Sequence, residues 1–185
     1  MTLKQVIFFQ GGGQGGYGAD KALAESLQNA LGSGYRLHYP QMLRDESQAE
    51  FVPEWLSNMA QAISVCLGDL YLVGHSLGAS LLLKYLSEIK MHPNIKGIFL
   101  LGTPYWEGEE EWVQPLKLRD NFADGLLPNV PTVFYHCRDD EEIPFSHLLS
   151  YKQRIPWAKF REIEMGGHQF NNDLSQVAHD IVTMQ

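Results

Sequence analysis

A serine set between two glycines, in Gly74-His75-Ser76-Leu77-Gly78, constrains this chain more than any other feature. Upstream, Leu70-Tyr71-Leu72-Val73 is a continuous apolar run bounded by Gly68, the pattern of a strand buried on both faces. Downstream, Ala79, Leu82, Leu83, Leu86 and Ile89 recur at helical spacing. Ser76 therefore falls where a buried strand turns sharply into a helix. Both flanks need glycine, because a side chain there would collide with the neighbouring strand or helix, and the serine backbone is strained. Such a turn lifts the hydroxyl out of the sheet, beside a helix N-terminus whose free N–H groups stabilise negative charge.

The rest of the chain supplies the sheet that such a turn requires. Apolar runs at Val6–Phe9, Tyr35–Tyr39, Leu70–Val73, Gly97–Leu101, Thr132–His136 and Phe160–Met165 read as strands. Amphipathic stretches lie between them. Leu23, Leu27, Ala30 and Leu31 mark the first, which ends at Gly32. Trp55, Met59, Ala62, Ile63 and Cys66 mark the second, with Pro53 suited to its first turn. A C-terminal helix starting near Asn171–Asp173 carries Leu174, Val177, Ala178, Ile181 and Val182 on one face. This alternation predicts one α/β domain over residues 1–185, with a roughly six-stranded, mainly parallel sheet and helices on both faces.

Residues 103–131 break the rhythm. They hold Thr103-Pro104-Tyr105-Trp106, an acidic patch over Glu107–Glu111 broken by Gly108, then Trp112 and Leu116. The spacing predicts one helix near Leu118–Leu127. Tyr105, Trp106 and Trp112 read either as ordinary packing or as an apolar wall over Ser76, with the glutamates facing solvent in both cases.

A serine hydroxyl is a weak nucleophile at neutral pH and needs a base that a third group orients. Asp139 and Asp140 follow the strand Thr132–His136; His168 follows the last strand across Gly166-Gly167. All three positions lie after the carboxyl ends of strands, where open parallel sheets form their sites. Taken singly, an Asp pair after a strand reads as a solvated turn or a cap, and a lone His as structural. Their joint occurrence in the order Ser, Asp, His points to a catalytic triad. His75 reads as packing beside the elbow, and His38, His92, His136, His147 and His179 lack the loop placement of His168.

Gln10-Gly11-Gly12-Gly13-Gln14-Gly15-Gly16 follows the first strand. Gly11, Gly13 and Gly16 match a dinucleotide-binding pattern, yet Arg36-Leu37-His38-Tyr39-Pro40 offers no acidic residue for a ribose. The loop suits another use: one of its N–H groups and that of Leu77 can meet the oxyanion of a tetrahedral intermediate.

A net charge of −8 and the lack of a Lys/Arg cluster argue against nucleic acid or an anionic membrane as partner. Two cysteines, Cys66 and Cys137, make neither a disulfide framework nor a zinc site and read as small buried residues. With no signal-like N-terminal segment and no apolar run near membrane length, a cytoplasmic location is expected. Oligomeric state stays open.

These ordered motifs resemble the α/β-hydrolase superfamily, and within it the small serine hydrolases related to the retinoblastoma-binding-protein hydrolase, which largely lack a lid. The resemblance spans essentially the whole chain, without the two amino-terminal antiparallel strands of larger members. Gly74–Gly78 matches the family's Gly-His-Ser-x-Gly elbow. Asp139-Asp140-Glu141-Glu142-Ile143-Pro144 matches its Asp-Asp-x-x-x-Pro pattern, whose second Asp is the acid, hence Asp140. Gly167-His168-Gln169-Phe170 matches its base motif, with Gln169 intervening before the aromatic. Many relatives carry His-Gly-x in the oxyanion loop where this chain has Gln10-Gly11-Gly12; Gly12 is the best match for the donor. The resemblance implies catalysis by Ser76, Asp140 and His168, an oxyanion hole of Gly12 and Leu77, and no metal or organic cofactor. It implies a carboxylester or thioester substrate with an acyl-enzyme intermediate; a peptidase or amidase on the same triad, or a non-catalytic binding protein, are the alternatives.

Overall fold

The computed structural model describes residues 3–13, 15–42, 51–89, 94–126 and 128–184. Six strands form one sheet: β1 (Lys4–Phe9), β2 (Tyr35–His38), β3 (Leu70–His75), β4 (Ile95–Leu101), β5 (Thr132–Cys137) and β6 (Lys159–Ile163). Their order is β2-β1-β3-β4-β5-β6, and every neighbouring pair is parallel. The helices are α1 (Gly16–Ala19), α2 (Lys21–Leu31), α3 (Phe51–Ser64), α4 (Ser76–Glu88), α5 (Ser146–Arg154) and α6 (Ser175–Thr183).

Successive side chains of a strand point to opposite faces, and the two cores divide accordingly. Ile7, Phe9, Leu70, Leu72, Ile98, Leu100 and Phe134 pack with residues of α3, α4 and α5. Val6, Phe8, Tyr71, Val73, Phe99, Leu101, Val133 and Tyr135 pack with residues of α2 and α6. Both faces are thus covered, which is why β3 and β5 read as unbroken apolar runs and are buried along their whole length. Cys66 and Cys137 are buried free thiols, and burial pushes Cys137 up to about 12. On the C-terminal helix Leu174, Val177, Ala178 and Ile181 are buried, whereas Val182 is exposed at the helix's outer edge.

Two expectations need correction. The helix predicted near Leu118–Leu127 does not form among the described residues, which exclude Leu127; two short 3₁₀ turns, Gln114–Leu116 and Phe122–Gly125, stand in its region. Gly125 explains part of this. It lies so close to α4 that a Cβ would sit 2.1 Å from the Ser87 carbonyl oxygen, and a glycine inside a helix is costly. Helix α5 was not expected. Its signal is present but short: Leu148, Tyr151 and Ile155 are buried at helical spacing just after Pro144.

Strand order decides where a site can form. From β1 the chain steps outward to β2, then crosses back to β3 on the other side of β1. The loop after β1 and the turn after β3 therefore diverge from adjacent strand ends, Phe9 and Gly74 being register partners. This is the switch point at which open parallel sheets leave a crevice.

Candidate active site

Ser76 opens α4 directly from β3 with φ 51°, a left-handed conformation that costs a non-glycine residue about 1–3 kcal/mol. The glycines that flank it are sterically enforced. A Cβ on Gly74 would lie 2.7 Å from the Ala79 Cα, and one on Gly78 would lie 2.1 Å from the Gln10 carbonyl oxygen. So the first turn of α4 packs against the backbone of the loop after β1.

His168 arrives from the loop after β6, buried at 3% exposure. Its Nδ1 is gripped by both Asp140 oxygens, at 2.9 and 3.0 Å. Asp140 also accepts the N–H groups of Glu142 and Ile143, at 3.0 and 2.8 Å. Burial alone would raise this carboxyl, but the hydrogen bond from His168 and those from Ile143 and Glu142 outweigh it and hold the carboxyl below its ordinary value. For His168, burial alone would lower the ring; the Asp140 hydrogen bond and the charges of Asp140, Glu142 and Asp20 together raise it above its ordinary 6.5.

The neighbouring carboxylate does different work. Asp139 accepts the N–H groups of Gly166, at 2.9 Å, and Gly167, at 2.9 Å, and so fastens the loop that carries the histidine. Glu141 accepts the backbone N–H of His168 itself at 2.9 Å. Beyond the ring, Phe170, Asn171 and Asn172 all have φ near 50°. Asn tolerates that region; the buried Phe170 does so only because its surroundings fix it.

Ser76 and His168 face one cavity of about 220 Å³, lined by five glycines of the loop after β1 and the start of α1 together with Asp20, His75, Glu142 and Gln169. No hydrogen bond joins Ser76 to His168 among the described residues, and the carboxylate near Nε2 is that of Glu142, at 3.7 Å. Contacts of this kind tighten when substrate binds. The Gly11 N–H is bonded to Asp20 and so is engaged, and the next residue of the loop, Gly12, lines the cavity. Leu77 lies in the first turn of α4, where N–H groups have no partner within the helix. Gln14 lies outside the described residues, as does His92.

Several contacts beside these residues go beyond the sequence reading, which has His75 as packing beside the elbow. Asp20 and His75 are both buried to 1% exposure and share a 2.8 Å contact between His75 Nδ1 and Asp20 Oδ2. His136, also buried, donates from Nε2 to the Ile143 carbonyl at 2.9 Å and lies 3.4 Å from Asp140 Oδ2. Burial holds its ring below the ordinary value, which leaves it uncharged beside the acid. His147 accepts the Tyr105 N–H at 2.9 Å. The order of residues signals none of these contacts.

The aromatics of 103–131 do not line the cavity. Tyr105 packs edge-on to Tyr151, and Trp106 donates its ring N–H to Ser80 Oγ at 3.0 Å while joining the core beneath. Trp112 is exposed and stands edge-on to Trp106, and Glu107, Glu109, Glu110 and Glu111 face solvent. A larger hollow of about 820 Å³, bordered by Asp69, Lys96 and Asn129, opens at the amino-terminal edge of the sheet, away from the nucleophile and base. Among the described residues no group of three or more His, Cys, Asp or Glu is arranged to hold a metal, and no helix is long and apolar enough to cross a membrane.

Comparisons with known proteins agree with this architecture. YdeN of Bacillus subtilis (strain 168), described as a hydrolase, is 24% identical over 140 residues, covering 70% of each chain. The solved structure of that gene product covers 99% of this chain and 98% of its own, with a TM-score of 0.70 and 18% identity. Est1E from Butyrivibrio proteoclasticus has a TM-score of 0.71 at 15% identity, covering 98% of this chain and 87% of its own. A thioesterase domain from the curacin biosynthetic pathway has a TM-score of 0.72 at 17% identity, covering 98% and 92%. These likenesses show the α/β-hydrolase fold. A family model described as serine hydrolase matches residues 25–177, a span that contains the elbow, Asp140 and His168, and on that match the chain belongs to the serine hydrolase family of small α/β-hydrolases.

Proposed function

We propose that this protein hydrolyses carboxylesters or thioesters through Ser76, His168 and Asp140 by way of an acyl-enzyme. The observation that carries the reading is the two-oxygen grip of Asp140 on His168 Nδ1, which fixes the tautomer and leaves Nε2 to the cavity that Ser76 faces. Ser76 Oγ attacks the carbonyl carbon while Nε2 takes its proton. The carbonyl oxygen becomes an oxyanion held by the N–H groups of Gly12 and Leu77. The intermediate then collapses, and His168 returns the proton to the departing alcohol or thiol. Water, deprotonated by the same nitrogen, attacks the acyl carbon, and His168 returns that proton to Ser76 Oγ as the acid departs. Asp140 stabilises the imidazolium in both halves and is never itself protonated.

The cavity's size and lining support a short acyl group. About 220 Å³ lies below the range typical of sites for drug-sized ligands, and its walls are glycine backbone and polar side chains rather than aromatics. Esterase and thioesterase neighbours such as Est1E and the curacin domain are in keeping with either leaving group.

The test is a panel of p-nitrophenyl esters of increasing chain length, with labelling by a fluorophosphonate. Turnover should be greatest for the shortest acyl groups. Ser76→Ala should lose both labelling and turnover, the latter by about three powers of ten or more, while keeping its unfolding midpoint. Near wild-type turnover in the purified variant would sink the mechanism.

A further inference from the structure

Asp20 sits at the junction of α1 and α2, and His75 is the last residue of β3, directly before Ser76. Both are buried, and every polar atom of the pair is engaged. Asp20 Oδ2 accepts the Gly11 N–H at 2.7 Å and meets His75 Nδ1 at 2.8 Å; Oδ1 accepts the Gln169 side-chain amide at 3.2 Å. On the far side of the ring, His75 Nε2 meets the backbone carbonyl of His168 at 3.0 Å. One continuous path therefore runs from the glycine loop through Asp20 and His75 to the main chain of the candidate base. Its contacts span sequence separations of 9, 55 and 93 residues.

The atoms fix the proton count. A carbonyl only accepts, so Nε2 carries a proton. A second proton must lie between Nδ1 and Oδ2, since two bare lone pairs would repel at that distance. Thus the pair holds two protons and is neutral overall, which lets it stay buried without an uncompensated charge. Burial alone would raise the Asp20 carboxyl, but the His75 contact and the donors from Gly11 and Gln169 hold it below its ordinary value.

We infer that Asp20 and His75 are a second, positioning Asp–His pair, which holds the loop bearing the Gly12 oxyanion donor in register with the loop bearing His168. It rests on the hydrolase reading above. Both residues border the cavity, but neither has a polar atom left unengaged for the substrate. By anchoring the Gly11 N–H, Asp20 fixes the Gln10–Gly11 peptide, from which the chain turns to Gly12. By anchoring the His168 carbonyl, His75 sets where the base's backbone stands. Burying such a pair brings little net stability over apolar residues of the same volume, so stability alone is a weak reason for its presence. Asp20 precedes residues 25–177, the span matched by the family model, whereas His75 lies within it.

Asp20→Asn tests this with little change of volume. Whichever way the amide turns, either the Gly11 N–H or the link from His75 to His168 loses its partner. With p-nitrophenyl acetate, kcat of the folded variant should fall about 10–100-fold while KM barely moves, a loss beyond what any drop in the unfolding midpoint accounts for at the assay temperature, since misplacing catalytic groups by under an ångström suffices for that. A folded variant with wild-type kcat overturns the proposal, as does a loss confined to KM or to stability. Should the variant not fold, nitrogen-15 histidine NMR of the wild-type chain decides: His75 should show two exchange-protected ring N–H protons, and a single one overturns the pair. Lack of wild-type turnover together with lack of Ser76 labelling would instead defeat the hydrolase reading, and the NMR count, which needs no turnover, separates the two failures.

Discussion

Gly78 and Gln10 touch main chain to main chain: a Cβ on Gly78 would stand 2.1 Å from the Gln10 carbonyl oxygen and 2.7 Å from that of Phe9. This contact sets the first turn of α4, and with it Ser76, against the start of the glycine loop. Gly78→Ala must therefore push the two apart, because both colliding partners are backbone and cannot rotate away. The expected result is a loss of about 1–3 kcal/mol in stability, as for an overpacked core, with turnover falling further than the unfolded fraction accounts for. Urea unfolding alongside p-nitrophenyl acetate kinetics measures both.

The adjacent carboxylates should separate in function. Asp140→Asn leaves the shape but no longer stabilises the imidazolium, and kcat should fall by about three to four powers of ten. Asp139→Asn keeps one acceptor for the Gly166 and Gly167 N–H groups, so its loss should be well under a tenth of that on a logarithmic scale if the amide oxygen faces them. Comparable losses in the two variants would contradict these roles.

The pH profile follows from His168. The base works only when neutral, so kcat/KM should rise with pH through a value above the ordinary 6.5. Glu142, 3.7 Å from Nε2, is one of the charges that raise it, and Glu142→Gln should move that limb to lower pH. The same pair links to stability. His168, raised on folding, contributes fully below 6.5 and loses its contribution as pH climbs through the folded value. Asp140, lowered on folding, contributes fully above 3.8 and loses its contribution as pH falls through its folded value. The pair's stabilisation is thus greatest between those two ordinary values, and unfolding midpoints across that range check it.

Trp106→Ala should act on the fold rather than on substrate choice. The indole is half-buried, bonded to the buried Ser80 hydroxyl and packed on the core, so about 2 kcal/mol of stability should be lost. The ratio of kcat/KM for long and short acyl esters should stay at the wild-type value. A selective loss for long esters would restore these aromatics to a substrate wall.

Helix α6 depends on a buried ionic contact. Asp180 takes the Tyr135 hydroxyl at 2.6 Å and two Arg161 nitrogens at 3.1 and 2.8 Å. Asp180→Ala would leave Tyr135 without its partner inside the core, and a loss of about 3 kcal/mol is expected by denaturant unfolding.

What the sequence determined by itself is what depends on neighbours along the chain. Strand faces follow from a two-residue period, so the six strands were legible within a few residues of their ends, and two glycines around a serine announce a turn that nothing bulkier could make. Where periodicity is short or interrupted it failed, as at α5 and at the 3₁₀ turns near Gly125. Of the site, Ser76 and His168 could be read from their places after strands, but Asp139 and Asp140 are alike in composition and position, and only a motif resemblance chose between them. Tertiary structure decided the division of labour: which carboxylate meets the ring and which staples the loop is set by the direction each side chain leaves the turn after β5. The same holds for Asp20 and His75, joined across 55 residues. A buried polar pair is defined by the partners that satisfy it, and those partners come together only when separate loops converge at one edge of the sheet.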